Sequence, residues 1–338
     1  MKGYITFDYE LCLGSKTGSA EGCLVEPMNA ITKMFLKYNV KSNIFVDAAY
    51  LLRMKELKDE DVRIQRDYEL VTTNIVFLSS LGHSIQLHFH PQWIDAQYRD
   101  GSWVLDNDHY KLSDYTLDIQ KEKLTQAIDL LQTLSYNKIT AFRAGGFSVE
   151  NFEDIAPVLN EKGVYIDTSV LRGGVVNSKY QTYNYQNIPL LTSYHFSNSN
   201  KKENEKGKFI EYPISVMEIN SFSYVFYKNI IRKIRERDYR GYSPKRWNDG
   251  VGIGDSVRSD SRIKNHVKRL FINSPLYASA DGALVYFLSD VFKYCKRKFQ
   301  GDDFVIIGHP KIASPRTIAV LEDFIKEHIK EINFVTFN

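Results

Sequence analysis

Short apolar segments alternate with longer amphipathic segments along almost the whole chain. Apolar and polar residues alternate over 3–7 as in a β-strand, whereas 27–38 places Met28, Ile31 and Phe35 on one helical stripe. Further strands are predicted at 41–46, 82–93, 139–143, 164–167, 208–214, 304–307 and 332–337, and further helices at 70–81, 115–134, 149–161 and 317–329. Alternating strands and helices predict parallel pairing with right-handed crossovers. The pattern therefore predicts an α/β barrel of seven strands.

Two stretches interrupt this alternation. Residues 171–207 are rich in Asn, Ser, Tyr and Lys, which is typical of a long loop or small insertion. Residues 228–269 contain thirteen Lys or Arg against five Asp or Glu. This run is either a solvated helical surface or a contact with an anionic membrane surface or acidic substrate. We expect a single catalytic domain over 1–338, with insertions at about 171–207 and 220–280.

Composition narrows the function classes. The net charge of +3 gives no case for nucleic-acid binding. Cys12, Cys23 and Cys295 are widely spaced, so neither a disulfide framework nor a thiolate metal site is indicated. The first residues run directly into a strand pattern without a signal-peptide profile, and no apolar run approaches membrane-spanning length. These observations predict a cytoplasmic protein.

Chemically capable side chains recur where the predicted strands end. Asp8 and Glu10 end the first strand, and Arg143 ends the fourth. Asp167 ends the fifth strand, and His309 follows the seventh. In parallel barrels the C-terminal ends of the strands form the rim that carries the chemistry. The pattern therefore predicts an active site at this rim.

The third strand brings two imidazoles to the same rim. His88 and His90 are two residues apart, so they leave the same face of an extended backbone, whereas His83 faces the opposite way and is not expected to be a ligand. Taken alone, the pair is either a surface His cluster or a metal site. With the carboxylates of Asp8 and Glu10 on a neighbouring strand, three ligands and a spare carboxylate become available. A catalytic metal needs this set, because an open position must remain for water and a general base must lie beside it.

Four motifs, taken together, resemble the polysaccharide deacetylases, carbohydrate esterase family four. They are Thr6-Phe7-Asp8-Tyr9-Glu10, Gly82 through Pro91, Phe142-Arg143-Ala144-Gly145-Gly146-Phe147-Ser148 and Ile307-Gly308-His309-Pro310, and they occur in this order over nearly the whole chain. The resemblance implies a distorted (β/α) barrel of seven strands. It also implies a metal-dependent hydrolase that removes N- or O-acetyl groups from sugars, with one divalent metal ion, for which Zn²⁺ suits the ligand types best.

The resemblance also implies a role for each motif residue. Asp8 corresponds to the catalytic base, Glu10 to a metal ligand, Arg143 to the residue that orients the base, and His309 to the general acid. Two departures are visible. The paired acidic residues are separated by Tyr9 instead of adjacent, and Gln92 stands four residues after His88, where the family usually has its second His. The shared strand face of His88 and His90 makes His90 the predicted second ligand.

The same rim supplies candidate substrate-binding residues and leaves several functions open. Trp93, Phe147 and Asp167 are candidate substrate-binding residues, although Trp93 could equally be part of an aromatic lid. The leading prediction is a deacetylase acting on an N-acetylated sugar, polysaccharide or precursor. The alternatives are a glycosidase using Asp8 and Glu10, a non-catalytic carbohydrate-binding relative, and a hydrolase of non-sugar amides. A glycosidase needs its two carboxyl groups on opposite sides of one bond, which two residues on one strand face fit poorly.

Overall fold

Seven parallel strands form the central sheet. They are β1 (Lys2–Tyr9), β2 (Asn43–Asp47), β3 (Ser84–Phe89), β4 (Ala141–Ala144), β5 (Ile166–Asp167), β6 (Phe209–Glu211) and β7 (Asp303–Gly308). Their order in the sheet is β7-β1-β2-β3-β4-β5-β6, and neighbouring strands in this order are parallel. The structure, a computed structural model, describes residues 1–149, 151–178, 181–248, 251 and 274–337.

The two ends of the sheet curl toward each other. Tyr194–Phe196 extends the β6 end by antiparallel pairing, and Asn333–Phe334 pairs with the start of β1. The segment after β6 then reaches β7, where the Ser215 N–H donates to the Val305 carbonyl at 3.1 Å. The predicted α/β fold, a distorted barrel of seven parallel strands, is therefore confirmed. Each of the eight predicted strands overlaps one observed strand, seven of them in the barrel and the eighth, 332–337, at Asn333–Phe334.

The alternation of β1 separates two apolar layers. Ile5 and Phe7 belong to the large core cluster between the sheet and the helices. Tyr4 belongs to a smaller cluster inside the barrel, together with Phe45 and Ile307. Because side chains alternate along a strand, Asp8 shares the inner face with Tyr4. The barrel interior thus combines this apolar cluster with buried polar residues such as Asn43 and Gln86, and it carries charged residues at the C-terminal ends of its strands.

Seven α-helices of ten or more residues occur in the described part of the chain. They are α1 (Glu26–Leu36), α2 (Ala48–Leu57), α3 (Val62–Ser80), α4 (Leu117–Leu134), α5 (Phe152–Glu161), α6 (Leu288–Lys298) and α7 (Pro315–His328). Shorter helical segments are Glu21–Val25, Ser221–Phe226, Tyr227–Ile231 and Arg232–Glu236, with single 3₁₀ turns at Pro91–Trp93, Leu112–Asp114, Gly145–Phe147, Arg237–Tyr239, Val285–Phe287 and Pro310–Ile312. None of the described helices is long and apolar enough to cross a membrane.

Helix prediction failed in two ways. α2 was missed because six of its ten residues are buried, so its sequence lacks the polar face that makes an amphipathic pattern visible. α6 was missed as well. α3 begins eight residues before the predicted start at Leu70, because Asp61 caps it by accepting from the Arg63 N–H at 2.8 Å. This start was missed because Ile64 is the one buried residue in the charged first two turns of the helix.

The two predicted insertions contain regular structure. In the first, Val175–Asn177 pairs with Thr182–Asn184, and Val216–Ile219, just before the second, pairs with Ser274–Tyr277 inside it. Outside the insertions a hairpin joins Gln97–Arg99 to Ser102–Val104. The single-domain assignment stays a prediction. The sequence also predicts a turn at 250–254, from three glycines at alternate positions. Apart from Val251 this turn lies outside the described residues, as do residues 249–250 and 252–269 of the basic stretch.

Candidate active site

Three ligand-type side chains meet at the C-terminal end of the curled sheet. Glu10 directly follows β1, His88 lies in β3, and His90 directly follows β3. The Nε2 atoms of His88 and His90 lie 3.0 Å and 2.5 Å from the same Glu10 oxygen, Oε2. All three residues are buried, and their ligand atoms lie within 4.8 Å of one another. The structure thus brings the predicted ligands together, while their binding of a metal stays a prediction.

The surroundings of this cluster suit a cation. Nδ1 of His88 lies 2.8 Å from the Arg143 carbonyl oxygen, which can only accept, so Nδ1 carries a proton and Nε2 faces Glu10. Burial alone would lower the pKa of His88, but the carboxylates of Asp8 and Glu10 raise it to about 9. Because a metal-ligating imidazole must be neutral, a cation bound here would take the place of the proton that these carboxylates favour on Nε2. Two imidazole nitrogens and one carboxylate oxygen are a donor set of catalytic zinc sites, so the residues present fit a divalent cation.

A glycine lets the backbone approach His90. A Cβ atom at Gly145 would lie 2.6 Å from His90 Nδ1 and 2.7 Å from the Phe89 carbonyl oxygen. No side chain larger than hydrogen fits there without displacing the imidazole. On the other side, Asp47 Oδ1 accepts from the His90 N–H at 3.2 Å. Neither contact of His90 was predicted from the sequence.

Asp8 forms a buried ion pair with Arg143. Arg143 Nη1 donates to Asp8 Oδ1 at 2.6 Å, and neither residue is more than 3% exposed. Arg143 is itself fixed, because Nε donates to the Thr168 carbonyl at 3.0 Å and its guanidinium lies 4.3 Å from the centre of the Phe45 ring. Burial alone would raise the pKa of Asp8, but Arg143 together with His88 and His309 outweighs it and holds that pKa below its ordinary value. Asp8 therefore carries a negative charge beside the ligand cluster.

His309 faces Asp8 and Glu10 from the end of β7. Its Nε2 lies 3.7 Å from Asp8 Oδ2 and 3.8 Å from Glu10 Oε1, and its side chain is 22% exposed. Asp281 Oδ2 lies 3.3 Å from His309 Nδ1 and also accepts from the His309 N–H. Burial alone would lower the pKa of His309, but Asp281 raises it. This favours the protonated imidazolium, as a general acid requires.

Asp281 and Lys311 are site residues that the sequence analysis missed. Lys311 Nζ donates to Glu10 Oε1 at 2.7 Å and to the Leu11 carbonyl at 2.8 Å. Together with His90 it holds the pKa of Glu10 well below its ordinary value, although burial alone would raise it. A weak signal existed for each. Lys311 follows the last motif directly, and Asp281 follows a short strand and precedes Gly282.

One cavity of about 210 Å³ is lined by the charged and imidazole side chains of the site, namely Asp8, Glu10, His88, His90, His309 and Lys311. Its walls also include Phe147, as predicted for a substrate-contacting position, and Tyr110 and Cys12, which were not predicted. The φ angle of Phe147 is +60°, a left-handed conformation that is strained for an aromatic residue. Tyr185 Oη braces it by donating to the Phe147 carbonyl at 2.7 Å. The first insertion thus supports one wall of the cavity.

The structure does not place Trp93 and Asp167 in the cavity. Trp93 is fully buried, with its ring 4.7 Å from that of Tyr50 and 5.4 Å from that of Trp103, so it is a core residue and offers no face to a sugar. Asp167 is also fully buried, where it accepts from Ser169 Oγ at 2.5 Å and from Asn200 Nδ2 at 2.6 Å. Its backbone position at the rim was right, but its side chain belongs to an internal network. Both expected substrate contacts are therefore corrected.

Comparisons with known proteins find likeness in structure alone. No family model and no curated protein sequence matches this chain. A Mycobacterium smegmatis protein assigned to the polysaccharide deacetylases aligns over 100% of this chain and 93% of its own, with 14% identity and a TM-score of 0.49. For the Puue allantoinase the coverages are 99% and 86%, the identity 14% and the TM-score 0.47. A family 4 carbohydrate esterase from Streptomyces lividans, in complex with acetate, aligns over 100% of this chain and 93% of its own, with 8% identity and a TM-score of 0.41.

The solved structures similar to this chain thus include members of the family that the four motifs resemble. At these identities and TM-scores they do not assign an activity to it. The geometry of the cavity has to carry any functional conclusion.

Proposed function

We propose that this chain is a metal-dependent hydrolase that removes N-acetyl groups from a sugar, a polysaccharide or a precursor of one. The observation that carries the proposal is a buried Asp8–Arg143 pair beside the cluster of Glu10, His88 and His90, with His309 facing both. Such a cavity would hold a base, a cation site and an acid close enough together to act on one bond. The glycan substrate follows from the motif resemblance.

Glu10, His88 and His90 would hold the divalent cation, with Zn²⁺ favoured by this mixture of nitrogen and oxygen donors. When bound, the cation would supply a Lewis acid that polarises the acyl carbonyl group and lowers the pKa of water.

Asp8 would act as the general base. Its lowered pKa keeps it unprotonated near neutral pH, and Arg143 fixes the direction of its free oxygen, Oδ2. His309 would give a proton to the leaving amine, because Asp281 stabilises its charged form. Water adds to the acyl carbon, the C–N bond breaks, and acetate and a free amine leave. Asp8 Oδ2 and His309 Nε2 lie 3.7 Å apart, close enough for both residues to act on one small acyl group.

The glycosidase alternative fits the cavity less well. Glu10 Oε2 contacts both imidazoles and Oε1 accepts from Lys311, so neither oxygen is free to attack a sugar carbon. Hydrolysis of a non-sugar amide uses the same groups and differs only in what the outer cavity recognises. The cytoplasmic location expected from the sequence stays a prediction.

Metal analysis together with acetate release tests the proposal. The purified chain should contain about one divalent ion and should release acetate from N-acetylglucosamine oligomers, and chelation should abolish the release. His88→Ala should lose the metal, whereas His195→Ala, a change to an exposed histidine outside the cavity, should keep it. Full metal occupancy in His88→Ala would refute the ligand assignment.

A second pair of variants separates base from ligand. Asp8→Asn keeps the size of the side chain and should retain metal while turnover falls by roughly 10²- to 10⁴-fold. Glu10→Gln replaces an anionic oxygen by a neutral one and should weaken metal binding, with activity partly restored by excess metal. The reverse pattern would exchange the two roles. Two fully active variants would end the mechanism.

A further inference from the structure

Part of the second insertion forms one run of helical turns docked on the barrel. The segments Ser221–Phe226, Tyr227–Ile231 and Arg232–Glu236 follow one another without a break. Below we call 221–236 the surface helix. Tyr227 packs on Phe287 with ring centroids 5.4 Å apart, and Arg235 Nη1 donates to Asp290 at 2.5 Å and to the Tyr286 carbonyl at 2.6 Å. These contacts fix which face of the surface helix points away from the barrel.

The outward face of the surface helix is apolar. Phe226, Ile230 and Ile234 follow one another at intervals of four residues, and they are 41%, 49% and 50% exposed. Val225 lies beside them and is 50% exposed. Residues four apart lie on the same side of a helix, so they form a ridge. Among the described residues, the sixteen exposed large hydrophobic side chains include these four and Tyr242, so a third of them fall in a short segment.

Cations border this ridge. Lys233 and Arg237 are exposed at positions next to Ile234, and Lys228 is exposed between Phe226 and Ile230 in the sequence. Over 221–248 the chain has eight Lys or Arg and two Asp or Glu, whereas the whole chain is close to balance. Of the two acidic residues, Glu236 is engaged by Arg316 Nη1 at 2.9 Å. The apolar ridge therefore lies in a segment with an excess of six positive charges.

We propose that the outward face of the surface helix binds an anionic lipid bilayer, with Phe226, Ile230 and Ile234 inserted among the acyl chains and the flanking cations at the headgroups. Apolar side chains flanked by Lys and Arg are the pattern of helices that lie in a membrane interface. Charge complementarity selects the occupant. A bilayer with anionic headgroups offers both an apolar layer and a plane of negative charge, whereas nucleic acid offers no apolar layer.

Vesicle sedimentation tests this inference without depending on hydrolysis. The full chain should bind vesicles of phosphatidylcholine with phosphatidylglycerol, bind pure phosphatidylcholine vesicles much more weakly, and release the anionic vesicles as salt increases. Equal binding to both lipids, or no binding to either, would overturn the inference.

Two double variants assign the effect to the surface helix. Lys228→Glu with Lys233→Glu should reduce the partition coefficient on anionic vesicles by about 30-fold or more, since each cation near such a surface contributes about 1 kcal/mol. Ile230→Ser with Ile234→Ser should reduce it by roughly tenfold or more. All four residues are remote from the cavity walls, so metal content should not change.

Matched controls change the same chemistry elsewhere. Lys121→Glu with Lys138→Glu alters the net charge equally at exposed positions outside the surface helix, and Leu117→Ser with Ile119→Ser removes two exposed apolar residues from α4. Both controls should bind vesicles like the unchanged chain. If the controls reduce binding as much as the surface-helix variants, the location is wrong. If size-exclusion chromatography shows instead a dimer that Ile230→Ser with Ile234→Ser dissociates, the face is a protein interface and the inference fails.

Discussion

Acid sensitivity of the fold should depend on His83, at the start of β3. Its ring is fully buried, Nδ1 accepts from the Ser42 N–H at 3.1 Å, and the ring lies 6.2 Å from that of Phe35. In the neutral ring the other proton is on Nε2, which is buried and has no hydrogen-bond partner. A second proton would have to enter at Nδ1, beside the Ser42 N–H and the Ser42 hydroxyl, which lies 3.0 Å from Nδ1. Burial, and after it Lys41, lowers the pKa of His83 from 6.5 to about 4.

The pKa of His83 fixes the size and sign of the effect. The folded state prefers the neutral ring, so its contribution to stability is fully present above pH 6.5 and declines as the pH falls from 6.5 to about 4. Each pKa unit corresponds to about 1.4 kcal/mol, so the full loss is about 3 kcal/mol, and most of it is complete at pH 4.5. Below pH 4 this residue adds no further loss.

Urea unfolding of the unchanged chain and of His83→Gln measures the pH-dependent contribution of His83 to the free energy of unfolding. Glutamine can still accept from the Ser42 N–H but does not titrate, so the carboxylates that titrate in both proteins cancel in the difference. The free energy of unfolding of the unchanged chain, relative to the variant, should fall by about 2–3 kcal/mol between pH 7.5 and pH 4.5. Parallel pH profiles for the two proteins, or an NMR titration of His83 near pH 6.5, would refute the reasoning.

Two further predictions concern the cavity. His309→Ala should keep the metal and the fold yet lower kcat by roughly 10²- to 10⁴-fold, whereas metal loss would make it a ligand and an unchanged rate would make it structural. Gly145→Ala should displace His90 and weaken metal binding by roughly tenfold or more, since disturbing the support of a ligand typically costs that much. Gly241→Ala, with open space around the added Cβ, is its control, and equal metal affinity in the two variants would contradict the proposed close approach.

The strand pattern predicted the rim because the end of a strand can be located from the local sequence. β1, β3, β4, β5 and β7 are short, largely buried strands whose ends could be located within a few residues, and the C-terminal ends of parallel strands share one edge. Placing Asp8, His88, Arg143 and His309 at one rim needed nothing more.

Side-chain direction beyond the strand ends was not predictable in this way. Pro91–Trp93 is a 3₁₀ turn that directs Trp93 into the core, and Asp167, the last residue of β5, is drawn into an internal network with Asn200. Asp281 reaches His309 from a segment 28 residues earlier in the chain, and no spacing rule links the two. Contacts of this kind depend on how loops return over the barrel, which local periodicity does not encode.

The separate roles of Asp8 and Glu10 depend on the curl of the sheet. Two carboxylates two residues apart on one strand face are equivalent as far as the sequence can tell. Arg143 lies in β4, and β2 and β3 separate that strand from β1, so in a flat sheet its side chain would lie two strands too far away to meet Asp8. In the curled sheet it reaches Asp8 across the barrel interior, over Phe45. Glu10 is two residues further along the same strand face, beyond Arg143, and contacts two imidazoles and Lys311 instead. The fold thus pairs Asp8 with a guanidinium group and Glu10 with two imidazoles and an ammonium group, and this difference supports the separate base and ligand roles that we propose.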